Sequence, residues 1–311
     1  MYFPYFRGRQ YELLALKELA KAGLLGKSVI PVVEPIKLSP TFNSVLTEFN
    51  NNAAHLSLVF NPIVGDLVNN PNLFSSLYSY VSNSKVVFPA VIINSNAGDT
   101  IKFLESNGLS KNSILTILDN RDCLPIYEDI FDNNTPRYTM FPEDRQIRRI
   151  VKKNKVMFED KFRKKDRNAD YSYDEFFSED HLYFSEEGYD GFGDYSIIGS
   201  EYSESGFAPR AVAIHIVYFE NNNNLRIHHF ISDSNPEDIS DVAGKFYEAV
   251  SKLAKWYKSG QERQLTTGLK ILLDHYENRT YPGLGTLKKL SVMHHLELMG
   301  KFLDRLNGGS L

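Results

Sequence analysis

Val29-Ile30-Pro31-Val32-Val33-Glu34 and Ile114-Leu115-Thr116-Ile117-Leu118-Asp119 share one form: a short run apolar toward both faces, then a carboxylate. Strands buried on both faces belong to parallel sheets covered by helices. Outward from these two, six more candidate strands stand along the chain: Tyr2–Phe6, Leu56–Phe60, Val86–Ile93, Arg137–Phe141, Lys155–Phe158 and Asp194–Ile198. The first five in chain order start 27 to 30 residues apart, the length of one strand–helix unit.

Helices are predicted between the strands. Tyr11–Ala22 carries Leu13, Leu14, Leu16, Leu19 and Ala20 along one side. Pro40–Asn50, Asn72–Val81 and Gly98–Glu105 follow, the last stopped by Asn107-Gly108. Cys123–Phe131 and Arg145–Lys153 complete the series. Eight strands with alternating helices predict an α/β fold, a (β/α)8 TIM-like barrel. An open doubly wound sheet is the alternative, weakened because no glycine-rich phosphate loop follows an early strand.

The rhythm breaks after the seventh strand. Asp160–Gly193 is long, charged and aromatic-rich, and could be an interaction surface. Ala211–Phe219 and Leu225–Ser232 flank Glu220-Asn221-Asn222-Asn223-Asn224, a hairpin signal. Helices are expected at Asp241–Lys258, Thr267–Tyr276 and Thr286–Leu306. The predicted organisation is a single domain over 1–311: barrel units over 1–200, then an appended β-hairpin and C-terminal helices over 201–311.

With 42% hydrophobic and 24% charged residues, the 311-residue chain can fill a large core, which argues against disorder. A net charge of −4 gives no broad electrostatic grip on nucleic acid. Basic runs at Arg145–Lys155 and Lys161–Arg167, with aromatics such as Phe158, Phe162 and Tyr171 nearby, leave a local nucleic-acid surface open. The single cysteine, Cys123, excludes an internal disulfide and a cysteine-ligated zinc site. The N-terminus does not read as a signal peptide, and no run approaches the roughly 18 apolar residues of a membrane span. A cytoplasmic location without membrane association is therefore expected.

In parallel α/β folds the working residues sit at the C-terminal ends of the strands. Here those positions hold Arg7, Glu34, Asn61, Asn94, Asp119, Glu143 with Asp144, Glu159 with Asp160, and Asp194. Glu34, Asp119, Glu159 and Asp194 are the candidate catalytic carboxylates. They are also the candidate ligands of a divalent metal such as Mg²⁺, which prefers oxygen donors. Crowding would equally split their pKa values for acid–base work. Arg7, Arg9, Asn61, Asn94, Tyr195 and Ser203 are the candidate ligand-binding residues. The plainer reading is that Asp and Asn end strands because they make good turns.

Arg7-Gly8-Arg9-Gln10 leads straight into a helix, where backbone donors and two guanidiniums would suit a phosphate or carboxylate. The stretch from Tyr189 to Phe207 mixes glycine, acids, hydroxyls and aromatics, as binding loops do. It lacks Gly-x-Ser-x-Gly, which leaves Ser203 and Ser205 as poor nucleophile candidates. His215 and His229 lie on the two hairpin strands, either as a hydrogen-bonded pair or, with an acid, as zinc ligands. His294-His295-Leu296-Glu297 lacks the His-Glu-x-x-His spacing and is read as structural.

Long motifs then bring a resemblance. Tyr2-Phe3-Pro4-Tyr5-Phe6-Arg7-Gly8-Arg9-Gln10-Tyr11-Glu12, followed by Ile30-Pro31-Val32-Val33-Glu34-Pro35, resembles the bacterial "beta protein" family. A close branch of it shares Arg167-Asn168-Ala169-Asp170-Tyr171, Asp174-Glu175-Phe176-Phe177, Ser203-Glu204-Ser205-Gly206-Phe207, His229-Phe230-Ile231-Ser232 and Met293-His294-His295-Leu296-Glu297. The resemblance covers nearly the whole chain. What it implies is a neighbourhood rather than a chemistry, because that branch is often encoded beside a small restriction-nuclease-like protein.

Two functions are expected on these grounds. One is a component of a bacterial phage or mobile-element defence system that acts with a partner protein through the polar barrel mouth. The other is a metal-assisted hydrolase or lyase acting on a phosphorylated or carboxylated substrate. A nucleic-acid-binding module is a weaker alternative.

Overall fold

The computed structural model describes all residues except 69, 71, 204–209, 235–238, 261–262, 307 and 309–311. Strands β1 (Tyr5–Phe6), β2 (Val32–Val33), β3 (Leu56–Val59), β4 (Val87–Ile92), β5 (Leu115–Ile117), β6 (Tyr138–Phe141) and β7 (Lys155–Phe158) pair in parallel, each with the next. Strand β8 (Asp174–Ser178) leaves this sheet, and β9 (Gly191–Gly193) takes the eighth place beside β7. The two edges then meet. The Phe3 N–H donates to the Phe192 carbonyl at 2.8 Å, the Tyr5 N–H to the Asp194 carbonyl at 2.8 Å, and the Phe192 N–H to the Met1 carbonyl at 3.0 Å. The result is the expected TIM-like barrel.

Two glycines permit this meeting. A Cβ on Gly191 would stand 2.7 Å from the Met1 carbonyl oxygen, and one on Gly193 would stand 2.5 Å from that of Phe3. No side chain fits there, so β9 can approach β1 only as Gly-Phe-Gly. The eighth strand was expected at Asp194–Ile198 and lies three residues earlier. Its end is set by Asp194, whose Oδ1 accepts the Ser196 N–H at 2.7 Å, and by Ser196, whose φ of 51° turns the chain off the sheet.

Helices α1 (Gln10–Lys21), α2 (Pro40–Asn51), α3 (Leu73–Ser82), α4 (Ala97–Ser106), α5 (Leu124–Phe131) and α6 (Arg145–Ile150) follow the first six strands. They start where the sequence supplies caps. Ser39 accepts the Phe42 N–H ahead of Pro40, and Asp144 accepts the Gln146 and Ile147 N–H groups. The short α7 (Asp180–Tyr183) sits in the crossover from β7 to β9.

The appended sheet is larger than the expected hairpin. Strands β10 (Ala213–Phe219) and β11 (Leu225–Ile231) pair antiparallel, and β8 adds to the free side of β11. Its third strand therefore comes from inside Asp160–Gly193, which as a charged stretch with exposed Tyr173 and Phe176 shows little strand alternation. Helices α8 (Val242–Ser259), α9 (Thr267–Glu277) and α10 (Leu284–Leu306) follow. Helix α10 packs against α1, α9 and β10 and is buried on nearly every side, including His294, His295 and Glu297. One apolar cluster joins the outer barrel face, the helices and the appended sheet, while a second fills the barrel interior.

The tight β1–β9 seam gives the first prediction. Gly193→Ala forces a methyl against the Phe3 carbonyl and is expected to destabilise the fold by about 2–3 kcal/mol, the upper range for overpacking. Denaturant unfolding with an unchanged m-value measures this; a loss below about 0.5 kcal/mol would show that the seam yields freely.

Candidate functional site: the barrel mouth

Side chains alternate in and out along each barrel strand. Tyr5, Val32, Ile92, Ile117, Val156 and Phe158 belong to the interior cluster, whereas Phe6, Val33, Val91, Leu118, Met157 and Phe192 belong to the outer one. Carried past the strand ends, the two-residue period sends Arg7, Glu34, Asp119 and Tyr195 to the mouth. The same period sends Glu159 and Asp194 outward, beneath the helices and the crossover. The four expected carboxylates are thus split into two pairs on opposite sides of the barrel wall.

Glu34 is fully buried and its oxygens are taken. The Tyr5 hydroxyl donates to Oε2 at 2.8 Å and the Ile63 N–H to Oε1 at 2.7 Å. Burial, with Glu34 alongside, pushes the Tyr5 hydroxyl well above its ordinary range. Arg7 approaches the same carboxylate at 3.7 Å, beyond hydrogen-bond reach, and its buried Nε has no hydrogen-bond partner among the described residues. Its guanidinium lies 5.4 Å from the Tyr195 ring and 5.9 Å from that of Tyr202. Arg9 lies 4.9 Å from the Tyr202 ring and donates to the carbonyl of exposed Ser203. Gly8 between them holds φ at 61°, where a side chain would be strained. The space bounded by Tyr5, Arg7, Arg9 and Tyr195 is about 10 Å³, room for one water.

Several other strand-end residues prove to be turn and ladder groups. The Asn61 amide donates to the Ile92 carbonyl at 2.7 Å and accepts the Ile92 N–H at 2.8 Å, replacing a ladder pair. Asn94 accepts the Asn96 N–H at 2.9 Å and caps its own turn. At the start of α1 one of the backbone donors is already taken, because Glu12 accepts the Arg9 N–H at 3.2 Å. Asp119 differs: it stands exposed at the rim with no ion pair among the described residues, and partial burial raises its carboxyl above the ordinary range.

The outward pair serves other ends. Glu159 accepts from Lys161 at 2.9 Å, and Lys161 also binds Asp180 at 2.8 Å. Burial opposes ionisation of Glu159, but Lys161 outweighs it and the pKa falls. These residues line an acidic cleft of about 350 Å³ with Glu143, Arg148 and Glu187. Of its acids, Glu143 and Glu159 were expected as strand-end candidates, and Glu179, Asp180 and Glu187 stood only in the charged crossover. Asp194 is buried against α10's layer, where the Tyr2 hydroxyl donates to Oδ1 at 2.8 Å. Among the described residues no group of three or more His, Cys, Asp or Glu side chains could hold a metal ion.

Of the basic runs, Arg148 pairs with Glu143, Lys161 with Glu159 and Asp180, Lys164 with Glu201 and Arg167 with Asp170, while Arg145, Arg149, Lys152, Lys153, Lys155, Arg163 and Lys165 make no ion pair among the described residues. Of their aromatic neighbours, Phe158, Phe162, Tyr171 and Phe177 are buried, and Tyr173 and Phe176 are exposed. Burial raises the Cys123 thiol, which disfavours the thiolate. Ser205 lies outside the described residues. His294 bonds Thr266 Oγ1 at 2.7 Å and the Val217 carbonyl at 2.6 Å, a structural role as expected. No helix among the described residues is long and apolar enough to cross a membrane. In comparison with known proteins, no family model and no curated sequence matches the chain.

Asp194 gives a pH prediction. Burial raises its carboxyl from 3.8 to about 7, so the folded chain holds a proton that the unfolded chain has released between those values. Stability from this group is present below about pH 4 and is lost as pH rises toward 7. Asp194→Asn keeps the acceptor for Tyr2 and removes the titration. The wild type minus variant stability should fall with pH between about 4 and 7, by at most ~1.4 kcal/mol per unit. Urea titrations across that range measure it, and a flat difference would place the proton elsewhere.

Proposed function

We propose that the chain is the binding component of a bacterial phage or mobile-element defence pair, engaging an acidic group of its partner protein through the barrel mouth. The supporting observation is Arg7: a guanidinium held between Tyr195 and Tyr202, with a buried Nε lacking a hydrogen bond among the described residues, beside a carboxylate whose oxygens are already taken. A desolvated arginine without a full set of acceptors gains from a carboxylate or phosphate that completes it. The space of about 10 Å³ beside Arg7 is too small to enclose a substrate, which favours a group that meets the guanidinium from an approaching surface. The resemblance to the "beta protein" branch supplies the partner class, a small restriction-nuclease-like protein.

The test is co-expression and titration of the two purified proteins. A complex at micromolar concentration or tighter is expected, with Arg7→Ala weakening it at least about tenfold, the worth of one charge-assisted hydrogen bond. No association of the intact proteins at that concentration would sink the proposal.

A second reading, a metal-assisted hydrolase or lyase, is favoured by one residue. Asp119 is open, has no ion pair among the described residues, carries a raised pKa and faces the mouth that holds Arg7. Calorimetry with Mg²⁺ is expected to show binding that Asp119→Asn abolishes. Heats identical to those of the buffer blank would remove this reading.

A further inference from the structure

The histidines of the appended sheet form a chain of hydrogen bonds with a direction. His215 on β10 and His229 on β11 face each other in register, with their Nδ1 atoms 2.7 Å apart. His229 Nε2 lies 3.3 Å from Glu175 Oε1 on β8. A carboxylate accepts, so His229 carries its proton on Nε2 and presents a lone pair at Nδ1. His215 must then donate from Nδ1, which leaves the lone pair of its Nε2 free. That nitrogen has no hydrogen bond to any described residue, and it is not among the buried polar atoms left unpartnered, so solvent reaches it. Phe162 and Tyr171 wall the ring at 5.1 and 4.7 Å between centroids.

The surroundings are cationic. Lys288 stands on α10, which packs against β10 and is pinned to it by the bond from His294 Nε2 to the Val217 carbonyl at 2.6 Å. Burial, then His229 and then Lys288 push the His215 imidazole well down and keep the ring neutral. Lys288 on α10 is exposed and makes no hydrogen bond or ion pair with a described residue. Partial burial and the charges of Arg9 and Lys164 lower its own pKa, although Glu12 opposes them. A lone-pair acceptor beside an unpaired ammonium is matched by a ligand that carries both negative charge and an acidic hydrogen. A phosphate group with one P–OH has both.

We propose that His215 Nε2 and Lys288 form a phosphate-binding site between the three-stranded sheet and the barrel, in which Nε2 accepts a hydrogen bond from P–OH and the ammonium offsets the anionic oxygens. Glu175 and His229 are its positioning residues, because they fix which nitrogen of His215 is bare. This site shares no residue with the Arg7 pair proposed for partner binding, so either can fail alone.

Inorganic phosphate is the probe, titrated into the full chain with isotope-labelled histidine and followed by ring-nitrogen NMR. Before addition, His215 is expected as the Nδ1–H tautomer and His229 as the Nε2–H tautomer. Phosphate should shift His215 Nε2 and bind at least about tenfold tighter than sulfate, which has the charge but no hydrogen to donate at neutral pH. Lys288→Met should weaken phosphate about tenfold, while Arg7→Ala leaves it within about twofold. The opposite tautomers, equal affinity for sulfate, or no shift at His215 would each overturn the proposal. The first two are read on the wild type and do not depend on any variant folding.

Discussion

Three backbone hydrogen bonds between the Met1–Tyr5 segment and Phe192–Asp194 close the sheet, and closure is the constraint on which the rest depends. A closed sheet has an inside, and every strand must then commit alternate side chains to it. The interior is narrow. Phe3, Tyr5, Phe88, Met140 and Phe158 fill it, and the bare backbones of Gly191 and Gly193 are what leave room for the Phe3 ring and carbonyl. The same bonds hold Tyr5 and Asp194 where each meets its partner, Glu34 within the barrel and Tyr2 outside it.

Closure also sorts charge. Glu34 and Arg7 share the mouth but stay 3.7 Å apart, because Tyr5 and the Ile63 backbone already satisfy the carboxylate. Asp194 and Glu159, one bond away in alternation, end in different surroundings. Asp194 has a phenol and a backbone N–H for company and holds its proton up to about pH 7. Glu159 has Lys161 and stays ionised more readily than usual. Two carboxylates from neighbouring strands thus acquire opposite tendencies because burial dominates one and an ion pair the other.

The barrel was legible because its strands are apolar on both faces and recur at one spacing. The site was half legible. Choosing the residue after each strand selected Glu159, and the misplaced eighth strand put Asp194 in the list, whereas keeping the two-residue period from Phe158 and Gly193 selects Asp160 and Tyr195. That information was present in the sequence. It needed the strand register, and the eighth strand was misplaced because Tyr195-Ser196-Ile197-Ile198 reads as more strand-like than Gly191-Phe192-Gly193. Strand β8 was not legible, since Asp174-Glu175-Phe176-Phe177-Ser178 is an edge whose charges bind Arg226 and His229 across the sheet. Those partners lie some fifty residues away in sequence.

The position of β8 bears on how the chain can be made. It lies in the crossover between the seventh and eighth barrel strands, yet its sheet partner, β11, is synthesised after the barrel is complete. A nascent chain that has closed its barrel therefore still displays an unpaired edge at β8, together with the outer barrel face that α10 will cover. The last hundred residues supply the cover for that edge and face, and a chain released before β11 would present the edge to others of its kind.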